Sequence, residues 1–374
     1  MSTMDQVHGS QDITRREFLR LSSLGLLAGM ALTLPDRRYV NNLFSQLHNR
    51  LPPFFDITET IYPIENISPN QLGRVLDAAI DIFDIPSFDG TRLSSYYRDQ
   101  IIPISGLTVG KSEDSFNMVW YKVGEEGYAH SGSIQPVFTI TNAIPDTTPT
   151  SGAVAEVTVP FTDARWDPGE DQRVAYRFYY ATTYWVVERV EDENGQPWYG
   201  VRDDKWEYIF YVPAAHMRII PPEETAPISP HVPPEMKRIE VHLPEQVLIA
   251  YEYDEPVFMA RVATGAKFSN GDYSTPTGQY TTFHKRYSRH MARGNLAANG
   301  YDLPGVPWNS YITEEGIAFH GTYWHNNFGR PRSHGCINLS PQAAKWVYLW
   351  TTPIVPPDQE GVYKKTGTAV EVIG

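Results

Sequence analysis

One cysteine occurs in this 374-residue chain, in the stretch "RSHGCINLS". Cys336 follows His334 by two positions and precedes Asn338 by two. A lone thiol cannot form an intramolecular disulfide. It attacks as its thiolate, a minority species at an ordinary pKa near 8.5, so a base or cation must lie close by. His320, His325 and His334 are the nearby bases. If 334–336 is extended, His334 and Cys336 share a face roughly 6–7 Å apart, outside direct hydrogen-bond reach without a bend. His320 ends a separate apolar run, "IAFHG", and can approach the thiol from the side. The Gly321 carbonyl after it can fix the imidazole tautomer, in the role a triad gives to Asp.

Gly335 lets the backbone approach a ligand. Its N–H and that of Cys336 are expected to form an oxyanion hole for acyl transfer, with His334 a wall or second donor. Ser333 and Asn338 are expected to hold the loop. Tyr323 and Trp324 either line the acceptor side or only pack. His320, His325, His334 and Cys336 are also acceptable zinc ligands. Their spacing matches no usual zinc pattern and no acid lies among them, so no metal or cofactor is expected.

Elements must position these groups. The alternation in "KRIEVHLPEQVLIAYE" predicts two half-buried strands turning at Pro244-Glu245. "EPVFMARVATG" reads as a third strand ending at Gly265, and "STPTGQYTTF" as a turn at Pro276 to Gly278 followed by a strand. "IAFHG" and "GTAVEVI" are further strands. "SPQAAKWVYLW" is a helix with Ser340 as N-cap and Pro341 at its first position. Residues 279–319, with Lys285, Arg286, Arg289, Arg293, Tyr280, Tyr287, Tyr301 and Trp308, show no such regularity. They are expected to form a lid whose cations meet carboxylates, or a solvated insertion.

"IAFHGTYWHNNFGRPRSHGCINLS" resembles the signature of L,D-transpeptidases, the YkuD-type catalytic domain. His320, Ser333, His334, Gly335, Cys336, Ile337 and Asn338 match it in order, as do Thr264-Gly265 and Thr275-Pro276-Thr277-Gly278 upstream. The resemblance covers about 237–374. It implies a cysteine-dependent acyltransferase: Cys336 the nucleophile, His320 the base, Gly321 the orienting carbonyl, and oxyanion donors around Gly335 and Cys336. It implies donor and acceptor peptidoglycan stem peptides as partners, release of D-alanine from a tetrapeptide, and a 3-3 crosslink. A thiol L,D-carboxypeptidase or an enzyme attaching proteins to peptidoglycan would use the same parts. A non-catalytic wall-binding protein is the alternative of another class.

Upstream, two segments look alike. Aligning Trp120-Tyr121 with Trp198-Tyr199 also pairs Val123 with Val201, Tyr128 with Tyr211 and Ile134 with Met217. The pattern of strand, tight turn, strand, brief helical turn and final apolar residue resembles bacterial SH3-like domains. The N-terminus, "ITRREFLRLSSLGLLAGMALTLP", puts Arg15-Arg16 before a mostly apolar run from Leu21 to Leu34, with Glu17 the only acid between Arg15 and Leu34. It resembles a twin-arginine signal, cleaved or kept as a membrane anchor, and implies export to the cell envelope, periplasm or wall.

Composition agrees. Lys+Arg 31 against Asp+Glu 44 gives a net charge of -13, which excludes a global attraction to nucleic acid. Aromatics at 13%, with 30 prolines and 27 glycines, favour β-rich architecture. The expected fold class is mainly β with one or more short helices: a β-sandwich-like catalytic domain plus two small SH3-like barrels. The expected division is a signal or anchor at 1–35, a stalk at 36–71, SH3-like domains at 72–150 and 151–222, a Pro-rich linker at 223–235, and the catalytic domain at 236–374. Nothing in the chain indicates its oligomeric state.

Overall fold

The computed structural model describes residues 68, 70–111, 117–145, 148–269, 271–294 and 300–374. The expected signal and nearly all of the expected stalk lie outside the described residues. No helix among the described residues is long and apolar enough to cross a membrane.

Strands dominate. The first unit holds β1 (Leu72–Val75), β2 (Ala79–Phe83), β3 (Arg92–Tyr97), β4 (Ile101–Val109), β5 (Val119–Val123), β6 (Gly127–His130) and β7 (Ile134–Val137), with a 3-10 turn at Ser131–Ser133. Its antiparallel order is β3-β2-β6-β5-β4-β1-β7. The second unit holds β8 (Ala153–Val157), β9 (Phe161–Arg165), β10 (Val174–Tyr179), β11 (Thr183–Glu191), β12 (Pro197–Arg202), β13 (Ile209–Pro213) and β14 (Met217–Ile219). It repeats the order strand for strand, β10-β9-β13-β12-β11-β8-β14, with its 3-10 turn at Ala214–His216.

The match extends to register. Tyr128 faces Lys122, and Tyr211 faces Gly200, each two positions beyond the buried Trp120 or Trp198. Both tryptophans are core residues, so they are not free to contact a ligand. The expected closed barrels are not seen. Among the described residues the outer strands β3 and β7, or β10 and β14, do not pair with each other, and each unit is an open antiparallel sheet.

The C-terminal unit is built on two five-stranded sheets. One has the order β17 (Glu255–Arg261), β16 (Val247–Glu252), β15 (Lys237–His242), β26 (Ala369–Ile373), β20 (Gly278–Thr281). The other has the order β24 (Ile337–Leu339), β23 (Ala318–Gly321), β22 (Tyr301–Tyr311), β21 (His284–Arg293), β25 (Gly361–Tyr363). A small hairpin joins β18 (Lys267–Phe268) to β19 (Gly271–Asp272). The helix α1 (Pro341–Trp350) begins as its sequence dictates, with the Ala343 N–H donating to Ser340 Oγ at 3.2 Å. It buries Ala344, Val347 and Trp350 in a core shared with Ile239, Leu248, Phe319 and Leu339. That core runs on into the second unit through Val154, Trp185 and Ile220.

The lid expected at 279–319 is instead sheet. β21 and β22 pair from His284–Tyr311 to Arg293–Tyr301. Three of their cations are engaged within the protein. Lys285 is buried and donates to the carbonyls of Tyr348 and, at 2.8 Å, Thr351, capping the C-terminal end of α1. Arg289 pairs with Asp204 at 2.6 Å, and Arg286 with Glu360 at 3.2 Å. These three charges fasten the hairpin to its neighbours, whereas Arg293 is exposed and lies close enough to His334 that burial and its charge together lower the His334 pKa. The third strand also stops earlier than expected, at Arg261, and 263–265 bridges the cysteine loop instead.

Candidate active site

The cysteine loop is held from behind by the Thr-Gly and Thr-Pro-Thr-Gly segments. Gln246 fixes Thr264, accepting from its N–H at 2.9 Å and donating to its hydroxyl at 2.7 Å. The Thr264 carbonyl accepts from the N–H groups of Arg332 and Ser333, at 2.8 and 2.9 Å. Thr275 Oγ1 accepts from the Gly265 N–H at 2.8 Å and donates to the Gly335 carbonyl at 2.8 Å. Gly265 must be glycine, because a Cβ there would sit 2.0 Å from the Tyr273 carbonyl oxygen. Gly335 must be glycine for another reason: its φ is +116°.

Register sets the segments of the expected nucleophile and base side by side. β23 and β24 run parallel, with Phe319 opposite Ile337 and His320 opposite Asn338. One step back, Cys336 lies opposite Ala318. Ala318 and His320 point to the same face of β23, and continuing the register one residue before β24 sets the Cα atoms of Cys336 and His320 about 8 Å apart. The His320 Nδ1–H donates to the Gly321 carbonyl at 3.0 Å, which leaves Nε2 as the basic lone pair. Burial lowers the His320 pKa to about 4, against the opposing effect of that bond. Desolvation raises the Cys336 pKa to about 11, partly offset by the Ala318 N–H. The half-buried thiol points its hydrogen toward the Gly316 carbonyl at 3.5 Å. Both groups therefore rest neutral.

The remaining residues divide. Ser333 Oγ accepts from the Gly335 N–H at 3.2 Å and donates to the Cys336 carbonyl, closing the loop on itself. This corrects the expectation that Gly335 donates to an oxyanion, since its N–H is already engaged. His334 is a wall: it stacks on Phe268 at 4.8 Å and packs edge-on to Tyr273 at 4.6 Å. Asn338 Nδ2 donates to His325 Nε2 at 3.0 Å, and its backbone pairs with Ala263. Trp324 is partly exposed, its ring 5.8 Å from that of His320. Tyr323 turns away: it is buried and its hydroxyl donates to the Pro304 carbonyl at 3.0 Å, so it does not line an acceptor path. Among the described residues no three His, Cys, Asp or Glu side chains come together as a metal site would require.

Gln246, Phe268 and Tyr273 escaped sequence reasoning, which noted Thr275 only as part of a motif. The spacing of Thr264-Gly265 from Thr275 was the available signal; Phe268 and Tyr273 carried none.

Residues 236–372 match the family model YkuD, the L,D-transpeptidase catalytic domain. No curated protein matches the chain. Three solved structures illustrate the similarity. The catalytic domain of an E. faecium L,D-transpeptidase is 24% identical, over 37% of this chain and 98% of that one, with a TM-score of 0.29. An L,D-transpeptidase from Mycobacterium smegmatis is 18% identical over 52% and 90%, with a TM-score of 0.31. One from Stackebrandtia nassauensis is 23% identical over 37% and 56%, with a TM-score of 0.27. This chain spans 49%, 56% and 60% of three of the solved chains it resembles. On the family match, the C-terminal part of the chain, residues 236–372, belongs to the YkuD family of L,D-transpeptidase catalytic domains.

Proposed function

We propose that the chain is a cysteine-dependent L,D-transpeptidase acting on peptidoglycan tetrapeptide stems. The observation that carries this reading is the Nδ1–H bond from His320 to Gly321, which leaves Nε2 as the basic atom of a histidine whose strand runs beside the one that Cys336 leads into. Cys336 Sγ attacks the carbonyl carbon of the third stem residue while its proton passes to His320 Nε2. The Cys336 N–H holds the oxyanion. The tetrahedral intermediate collapses to a thioester, and D-alanine leaves with the proton from His320. An amine of a second stem then attacks the thioester and gives its proton to His320. A 3-3 amide forms and the thiol is restored.

The two N-terminal units are read as SH3-like modules at 72–150 and 151–222, on the strength of their shared strand order and the 3-10 turn before the last strand. The segment 223–235 joins them to the catalytic domain at 236–374. The twin-arginine-like segment at Arg15-Arg16 and the family match support a location in the cell envelope.

Incubation with a tetrapeptide stem and mass spectrometry tests the reading. A thioester adduct on Cys336, release of D-alanine and a crosslinked product are expected, all absent in Cys336→Ala. Tripeptide without crosslink would make water the acceptor. Turnover by Cys336→Ala would refute the mechanism.

A further inference from the structure

The segment that follows the catalytic histidine is held by the first seven-stranded unit, about two hundred residues or more away in sequence. Arg74, on β1, is 3% exposed. A buried guanidinium requires partners on every side, and it has them. It donates to Asp99 at 2.8 Å, and its Nε and Nη2 donate to Gln135 Oε1 at 3.1 and 2.9 Å. Nη2 also donates to the backbone carbonyl of Tyr323. Burial lowers the Arg74 pKa and Asp99 opposes that shift.

The second unit supplies the floor. The Tyr179 ring lies 4.1 Å from the guanidinium carbon and stacks on Tyr323 at 5.3 Å. Tyr179 and Arg177 both reach the far oxygen of Asp99. One guanidinium thus joins the first unit, the second unit and the catalytic segment.

A second set of bonds pins the same segment. The Asn326 N–H donates to the Gly132 carbonyl at 3.1 Å, and its side chain donates to the Ser131 carbonyl at 3.2 Å. Asn117 donates to Asn327 at 3.4 Å. On the other side, the Thr322 N–H donates to the Leu339 carbonyl at 3.0 Å. Thr322 and Tyr323 stand between the Gly321 carbonyl that orients His320 and the Trp324 ring beside it, and Asn326 and Asn327 fix the chain just beyond Trp324.

We propose that Arg74 is a positioning residue for His320, and that the first unit is thereby a working part of the active site rather than a separate wall-binding module. The inference rests on the proposed cysteine–histidine chemistry but not on the identity of the substrate. Acyl transfer depends on placement within a fraction of an ångström. Releasing the Tyr323 carbonyl frees the peptide two residues beyond the one that sets the imidazole.

The test uses the full chain with Arg74→Met, Arg74→Lys and Asn326→Ala. Two rates are measured for each: alkylation of Cys336 by iodoacetamide as a function of pH, and acyl transfer from a tetrapeptide stem, split into kcat and KM. Near-ultraviolet circular dichroism reports the folded fraction. For Arg74→Met we expect roughly tenfold slower alkylation at pH 7 per folded molecule and a similar fall in kcat, with KM little changed. Arg74→Lys is expected to recover part of both, and Asn326→Ala to shift both in the same direction by about threefold.

Wild-type alkylation profiles and kcat in folded variants would overturn the proposal, leaving Arg74 as interdomain glue. If Arg74→Met does not fold, Asn326→Ala decides alone by the same criterion. The alkylation arm needs no stem peptide. A wild type inert toward stems, with variants still altered in alkylation, would sink the substrate assignment and leave the positioning role standing.

Discussion

His320 Nδ1 donates to the carbonyl of its own neighbour, Gly321, at 3.0 Å. A neutral carbonyl orients the ring but stabilises its cation less than a carboxylate would. Burial then holds the imidazole at a pKa of about 4 and the Cys336 thiol at about 11. The pair rests as thiol and neutral imidazole, and the proton moves only as the sulfur attacks.

Reactivity should show this directly. Alkylation of Cys336 by iodoacetamide is expected to climb through the alkaline range without levelling off near neutrality. A reactive plateau below pH 7 would demonstrate a preformed ion pair instead. His320→Gln should slow acyl transfer by about 10²–10⁴-fold, the usual worth of a general base.

Thr275 couples two backbone groups behind the nucleophile. Thr275→Val keeps the shape and leaves the buried Gly265 N–H and Gly335 carbonyl without this partner. Destabilisation of about 1–3 kcal/mol is expected by urea unfolding, with reduced acyl transfer. Thr275→Ser, which keeps the hydroxyl, should recover most of both; equal losses in the two variants would mean that the methyl group matters and the bonds do not.

Gly335 has room for a methyl group, whose nearest neighbour would be Ile317 Cγ1 at 3.5 Å, but its φ of +116° excludes one. Gly335→Ala is therefore expected to cost about 1–3 kcal/mol of strain. The chain can relieve that strain only by turning the peptide before Cys336. Acyl transfer should fall further than stability does. A fully active Gly335→Ala would show that the loop tolerates another conformation.

Acid should destabilise the fold through His320 and His325. Burial lowers both, His320 to about 4 and His325 to about 3, while the unfolded imidazoles titrate near 6.5. Between those values the unfolded chain binds more protons, so stability falls as pH drops from 6.5 toward 4. Each group contributes up to about 1.4 kcal/mol per pH unit. His325→Gln, probed by urea unfolding from pH 7 to pH 4, should reduce the slope by about one proton. An unchanged slope would exclude His325.

His290 should act in the opposite direction. It lies between Asp203 of the second unit, at 2.5 Å, and Asp302 on β22, at 2.7 Å. Burial opposes its charge, but the two carboxylates outweigh burial and raise its pKa. Lys205, which also reaches Asp302, and Arg289 with Asp204 complete the charges around it. Its contribution is fully present below about pH 6.5 and is lost as pH rises through the raised value. In His290→Gln, urea unfolding should no longer show that alkaline decline; a decline equal to wild type would assign it to other groups.

Much of this was legible in the chain itself. The alternation at Ile239, Val241, Val247 and Ile249, the Ser340-Pro341 cap and the repeated Trp-Tyr strands are local signals. Backbone geometry forces them wherever the chain lies. The order of His320, Ser333, His334, Gly335 and Cys336 was likewise readable as thiol chemistry. The hairpin at His284–Tyr311 was not, since Pro304, Gly305 and Pro307 break any strand pattern; pairing with β25 and β23 overrides that local preference. Whether the sheets close, that Ser333 takes up the Gly335 N–H, and that Arg74 reaches Tyr323 were decided only by tertiary structure. These depend on which distant surfaces meet when the cores are buried, and residue type and spacing along the chain carry no record of that.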